Sequence, residues 1–149
     1  MSEASKRRSP PARTLASVRL YDNTGNPANA YYSSQGGAEA IDDLHLVSGG
    51  TLDSLTFEYY DPALSGTLSA TVNVYANPGG LDLDAQPLAG PFTAAGLSTG
   101  RRSVTIPMSP GLAVSAHLWV GVRFTSTTAG LILNSAPSIG SSHDLYLEN

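Results

Sequence analysis

The chain has 149 residues, which suits one domain burying about two thirds of the surface exposed by its unfolded form. Charged residues make up 13% of the sequence, about half the usual share for a soluble domain. Cysteine is absent, which excludes a disulfide framework, a thiolate nucleophile and a zinc–thiolate site.

The net charge of −4 divides unevenly along the chain. Residues 15–149 have four arginines against eleven acids, +4 − 11 = −7. Residues 1–14 have four basic side chains against one acid, +4 − 1 = +3: Lys6, Arg7, Arg8 and Arg13 against Glu3. Because this segment is polar and contains Pro10-Pro11, we expect a flexible basic arm in front of a single folded domain at 15–149.

Strands follow one another in the first half of the chain, separated by turn residues. The first is expected at residues 15–22, followed by an irregular connection over 28–41 and a second strand at 42–47. A third covers residues 51–60, with Leu55, Phe57 and Tyr59 on its inward face. The longest alternating run, residues 67–77, ends at Pro78-Gly-Gly80.

The second half begins with a long loop, residues 78–102, in which only 88–93 is expected to pair. Prolines stop the next strand, 103–108, and two further strands are expected at 130–134 and 143–148. Between the strands expected at 103–108 and 130–134 lies the clearest strand of the chain, His117–Ser126. Apolar side chains occupy one of its faces (Leu118, Val120, Val122 and Phe124), and the opposite face has His117, Trp119, Gly121 and Arg123.

About eight strands at this spacing, and no helical period, predict an all-β fold. The expected architecture is an antiparallel two-sheet β-sandwich of jelly-roll type.

Several of these stretches together resemble a known kind of module. They are Tyr21-Asp-Asn-Thr24, Asp42-Asp43, Thr51-Leu-Asp-Ser-Leu-Thr-Phe57, Thr71-Val-Asn-Val-Tyr75, Leu118-Trp-Val-Gly-Val-Arg-Phe-Thr125 and Gly130-Leu-Ile-Leu-Asn-Ser135. From about residue 18 to 147 the chain resembles a β-sandwich module of bacterial extracellular proteins that PEP-CTERM-type signals anchor to the envelope. The resemblance implies an extracellular or cell-surface location, although the N-terminus shows no signal peptide and no apolar run reaches transmembrane length.

Acidic side chains near strand ends and loops raise the possibility of a calcium site. Asp82 and Asp84 alternate within a loop rich in glycine and proline, and Asp42-Asp43 opens a strand. Calcium takes six to eight oxygens, which loops at one end of a sandwich can supply. The alternative is that aspartate stands in these turns because its side chain bonds to its own backbone. His45, His117 and His143 lie far apart in sequence, and nothing requires them to share a metal.

Catalytic patterns are missing, so we expect no enzyme. There is no Gly-x-Ser-x-Gly turn, no phosphate-binding glycine loop, and no cleft that can be inferred between paired carboxylates such as Glu58 and Asp61.

Aromatic residues outside the apolar stripe suggest a platform for stacking on sugar rings, formed by Trp119, Tyr60 and Tyr75. The alternative for Trp119 is a buried structural position. The same strand face, with Trp119 and Arg123, is also a candidate interface between copies, together with the basic residues of the arm.

The leading interpretation is a non-enzymatic structural or self-assembling module whose arm ties neighbouring subunits into a homo-oligomer. The first alternative is a carbohydrate-binding module, with a glycan ligand and a possible dependence on calcium. The second is a jelly-roll shell protein whose arm contacts nucleic acid. Four basic residues would contact at most about four phosphates, so the logarithm of the binding constant would fall with the logarithm of the salt concentration with a slope near −3.6. The domain's negative charge opposes such binding. Nucleic acid is therefore not an expected partner.

Overall fold

The computed structural model describes residues 17–33, 37–63, 67–76, 86–142 and 146–148, and these form an antiparallel β-sandwich. The strands are β1 (Pro27–Tyr32), β2 (Ala40–His45), β3 (Gly50–Asp61), β4 (Leu68–Ala76), β5 (Ala89–Leu97), β6 (Gly100–Val114), β7 (His117–Phe124), β8 (Gly130–Asn134) and β9 (Tyr146–Glu148). Among the residues described, no helix is long and apolar enough to cross a membrane.

The strands pair as a long hairpin rolled into two sheets. One sheet has the order β1-β8-β3-β6 and the other the order β5-β4-β7-β2-β9. The pairs β1–β8, β2–β7, β3–β6 and β4–β5 are all antiparallel and hydrogen-bonded. This nesting, with β4 and β5 at the tip, is the jelly-roll arrangement, so the predicted fold class is confirmed.

The core lies between the two sheets and is built from alternate residues of the central strands. On β7, Leu118, Val122 and Phe124 are 2–3% exposed, and Val120 is buried beside them. Phe124 contacts Phe57 of β3 edge to face, with ring centroids 6.2 Å apart. The inward faces predicted for these two strands are therefore confirmed.

Prolines fall on edge strands, which explains one error in the predicted boundaries. The strand expected to stop at residue 108 continues as β6 through Pro107 and Pro110 to Val114. β6 is an edge strand, so a residue without a backbone N–H does not break a ladder on both sides. The segment 88–93, expected to pair within the loop over 78–102, belongs to β5, another edge strand, which includes Pro91 and extends beyond the prediction to Leu97.

The N-terminal part of the domain also differs from the prediction. Of the strand expected at 15–22, the described residues contribute a single bridge, between Asp22 and Ile139. The connection expected over 28–41 instead contains β1 and the start of β2. β1 lacks an apolar alternation and has an irregular register, with Asn29 at a positive φ of 57°. It is a strand because β8 offers it an edge.

Candidate functional site

The first sheet opens between β3 and β8. β8 pairs with β3 at two positions, Tyr59–Leu131 and Tyr60–Gly130, and from there its described pairing is with β1. The separation leaves a cleft of about 480 Å³ between the two strands. A cavity of this size is in the range of small-ligand pockets and is unusual for a close-packed core. We call it the β3–β8 cleft.

The floor of the β3–β8 cleft is the inner face of the second sheet. It is apolar and includes Leu44 of β2 with Leu118, Val120 and Val122 of β7. One wall is the extended segment 17–24, which is held by backbone hydrogen bonds from Asp22 N to Ile139 O (2.9 Å) and from Val47 N to Leu20 O (3.0 Å). The chain thus enters the domain along the cleft.

The charged side chains that line the cleft are mostly acidic. Its charged residues sum to +1 − 4 = −3, namely Arg19 against Asp22, Asp42, Asp53 and Glu58. Arg19 forms an ion pair with Asp22. The pKa of Asp22 is lowered, chiefly because its carboxylate accepts a hydrogen bond from the Thr24 hydroxyl. The cleft therefore combines an apolar floor with a negative rim.

A pair of tyrosines lies on the outer face of the same sheet, near the mouth of the cleft. Tyr31 and Tyr60 meet edge to face with centroids 4.9 Å apart, and Tyr31 is 38% exposed. Glu58 precedes Tyr60 by two residues and shares its face of β3. Its carboxylate accepts hydrogen bonds from Arg101 (3.3 Å) and Asn134 (3.4 Å). Of the predicted platform residues, Tyr60 is thus the one placed on this surface.

The other two platform residues lie elsewhere. Trp119 and Tyr75 pack with Ile41 on the outer face of the second sheet, and they are 4% and 6% exposed. Neither ring has a free face for a sugar, so the proposed platform of three aromatics is corrected to Tyr60 with Tyr31. For Trp119 the structure agrees with the buried alternative. The burial also leaves Trp119 no free surface for contact with another copy.

Glu39, whose side chain lies against Gly121 on the outer face of the second sheet, was not singled out from the sequence. Its side chain is 2% exposed and accepts hydrogen bonds from Tyr75 Oη (2.8 Å) and Asn73 Nδ2 (2.9 Å). Burial and then the hydrogen bond to Glu39 raise the pKa of Tyr75 to about 12. The available signal was Gly121, because a glycine within a strand often marks a close approach by another group.

Two of the three histidines come together. His45 and His117 are cross-strand partners, and their rings stack with centroids 4.1 Å apart. Asp43, 1% exposed, places Oδ2 3.3 Å from His45 Nε2. Ser142 Oγ donates to both Asp43 (3.2 Å) and Asp42 (3.4 Å). These contacts give both aspartates a structural partner.

A metal site is not formed by these residues. In the part of the chain that the structure describes, no three His, Cys, Asp or Glu side chains are arranged to hold a metal ion. Asp82, Asp84 and His143 lie outside the described residues. The calcium site therefore stays a prediction.

The predicted interface residues also lie partly outside the described chain. Lys6, Arg7, Arg8 and Arg13 lie outside the described residues, so their contacts stay predictions. Arg123 is exposed on β7, beside a depression that Thr71 and Asn73 also line.

No family model, curated protein or solved structure matches the chain. What the protein does is therefore inferred from the β3–β8 cleft and from the residues around it.

Proposed function

We propose that the chain is a non-enzymatic structural module that assembles with copies of itself, and that the basic arm of one copy contacts the acidic domain of another. The observation that supports this best is the β3–β8 cleft, whose lining has a charge of −3. The arm of residues 1–14 has a charge of +3. Opposite charges favour contact between the arm and such a surface, and when that surface belongs to a second copy the contact joins two chains.

Among the described strands, two of the four sheet edges are unsuited to edge-to-edge pairing between copies. Both β5 and β6 carry exposed prolines, Pro91 on the first and Pro107 and Pro110 on the second. Proline on an edge strand blocks the addition of another strand there. The low charge of the whole chain leaves little repulsion between copies that approach by another route.

The test is the mass of the full chain in solution, measured by light scattering over a range of concentrations at low and at high salt. We expect an oligomer at low salt that Arg7→Glu with Arg8→Glu dissociates, because ionic contacts of exposed side chains are screened and charge-dependent. Arg102→Glu is the matched control for Arg7→Glu alone, because Arg102 is an exposed arginine that neither belongs to the arm nor lines the cleft. A monomer under every condition would refute the proposal.

A second candidate function is carbohydrate binding, which the Tyr31–Tyr60 pair supports. Aromatic faces are electron-rich and attract the C–H groups of a sugar ring. Around Tyr60, Glu58 supplies acceptors and Arg101 and Asn134 supply donors, the groups that hydroxyls require.

Binding of neutral glycans should be lost in Tyr60→Ala and kept in Tyr60→Phe, because stacking needs the ring and not the hydroxyl. Repeating the measurement with calcium and with a chelator tests the proposed dependence on calcium, since a bound ion also raises the melting temperature. Equal binding by both variants would exclude the tyrosine pair. By its resemblance to envelope-anchored modules, we place this activity outside a bacterial cell.

A further inference from the structure

The β3–β8 cleft has the features of an unfilled strand position, and we propose that the arm of a second copy fills it. This inference rests on the proposed self-assembly and names the surface that receives the arm.

The backbone of β3 supplies the first support. Along Gly50–Asp61 it pairs with β6 on one side. On the other side, among the described residues, it pairs with β8 at Tyr59 and Tyr60 alone. Residues 51–58 therefore present an unpaired ladder edge to the cleft, and an extended peptide can pair with such an edge by strand addition.

The shape and polarity of the cleft supply the second. Its floor of Leu118, Val120 and Val122 lies where the inward side chains of an added strand would point. Residues 12–16, the end of the arm and the two residues after it, contain no proline; Ala12, Thr14 and Ala16 would share one face, and Arg13 and Leu15 the other. These small side chains suit a cleft of about 480 Å³. The opposite face would bring Arg13 toward the acidic rim.

Charge supplies the third. Asp53, an exposed rim residue, has no salt bridge among the described residues, and Glu58 has one, with Arg101. Lys6, Arg7 and Arg8 lie on the N-terminal side of Pro10-Pro11, so they would continue along the rim past the end of the docked strand. Ionic contacts of this kind guide the encounter and set the register more than they add affinity.

The direction of the chain favours a second copy as the donor. Residues 17–24 already run along the cleft wall, and the described chain begins there, at residue 17. To enter its own cleft the chain would have to reverse at residues 14–16, Thr-Leu-Ala, which are not turn-forming residues. Because residue 16 adjoins the described domain, a strand at 12–16 that docks on a second copy would bring the two domains into direct contact.

The absence of cysteine allows a direct test in the full chain. One variant carries Ser54→Cys, an exposed position lining the cleft, and another carries Arg13→Cys, on the same outward face of the arm, which keeps the other three basic residues. The two are mixed and mildly oxidised, and mass spectrometry identifies the cross-linked dimers. The matched control replaces the first variant by Thr93→Cys, an exposed position on β5 of the other sheet.

We expect at least about tenfold more dimer linked through positions 13 and 54 than through positions 13 and 93, because docking raises the effective concentration of the two thiols. Equal yields would overturn the inference. So would the double variant Arg13→Cys, Ser54→Cys, if at low concentration it closed a disulfide within one chain, because the donor would then be the chain's own arm.

The same samples separate this inference from the proposed function. If light scattering shows an oligomer and the cross-link to position 54 does not exceed the control, self-assembly stands and the cleft is not its site. If the chain is monomeric and no cross-link forms, the proposed self-assembly and the docking of the arm in the cleft are both wrong. Circular dichroism of each variant confirms that the exposed substitutions leave the fold intact.

Discussion

Gly121 leaves the space that the side chain of Glu39 occupies on the outer face of the second sheet. A Cβ at position 121 would lie 2.8 Å from Glu39 Cγ and closer still to the carboxylate. Glu39 in turn accepts hydrogen bonds from Tyr75 and Asn73 of β4. The missing side chain of one residue thus allows a buried carboxylate to connect the start of β2 with β4 across β7.

Gly121→Ala is expected to destabilise the fold by about 1–3 kcal/mol, because the new methyl group overpacks a filled site. Urea unfolding measures the loss. Gly50→Ala is the matched control, since its Cβ would meet Leu20 at an ordinary 3.7 Å. The explanation fails if both substitutions have the same effect, or if Glu39→Ala does not reduce the cost of Gly121→Ala.

The raised pKa of Tyr75 predicts that the folded state loses stability at high pH. Its pKa is raised from 10.0 to about 12, first by burial and then by the hydrogen bond to Glu39. The neutral phenol is therefore favoured in the folded state. Its contribution is fully present below about pH 10 and is lost as the pH rises toward 12.

Thermal unfolding between pH 8 and pH 11.5 tests this in the unmodified chain and in Tyr75→Phe, which cannot ionise. The stability of the unmodified chain should fall relative to that of the variant as the pH passes 10. A difference that stays constant with pH would show that the Tyr75 hydroxyl does not ionise differently in the two states. Tyr31→Phe, which removes the hydroxyl of an exposed tyrosine, is the control.

Local patterns in the sequence were sufficient to locate a strand and its inward face where the strand buries one face. The alternation of Leu118, Val120, Val122 and Phe124 located β7 and its inward face because burial against the opposite sheet selects every second residue. The burial of Trp119 on the opposite face was not decided by that pattern. It depends on Ile41 and Tyr75, which come from other strands.

The candidate site was harder to predict for a related reason. The β3–β8 cleft exists because β8 leaves β3 after Leu131, and no local pattern specifies where two distant strands stop pairing. Aspartates that looked like turn or metal residues, such as Asp42, acquire their place in the cleft only from this non-local register. The tyrosine pair likewise needs β1, a strand without an apolar alternation.

Phe124 is expected to be among the most sensitive positions of the core. It is 3% exposed and contacts both Phe57 and Tyr59. Phe124→Ala should cost on the order of 3–5 kcal/mol in urea unfolding, because removing a buried ring leaves a cavity. A cost below about 1 kcal/mol would contradict the inward placement.

The neighbouring position provides the control for this prediction. Arg123 is exposed, so Arg123→Ala should change the stability of the monomer by no more than about 0.5 kcal/mol. A larger effect that appears only at concentrations where the chain is oligomeric would place Arg123 in an interface between copies.

Asp22 gives a prediction about the segment that borders the cleft. Its pKa is lowered from 3.8, with the hydroxyl of Thr24 as the largest cause and Arg19 as a smaller one. A lowered pKa contributes stability that is present above the unfolded value and is lost as the pH falls through the folded one. The segment 17–24 should therefore loosen in acid, below about pH 4.

Carbon-13 NMR titration of the Asp22 carboxyl group tests both the direction and the order of the causes. Its midpoint should lie below 3.8 in the unmodified chain and rise more in Thr24→Ala than in Arg19→Ala. The first variant removes a hydrogen bond to the carboxylate at 2.6 Å, whereas the second removes an exposed charge that solvent already screens. The reverse order would mean that the ion pair with Arg19 holds this wall of the cleft, and that salt should open it.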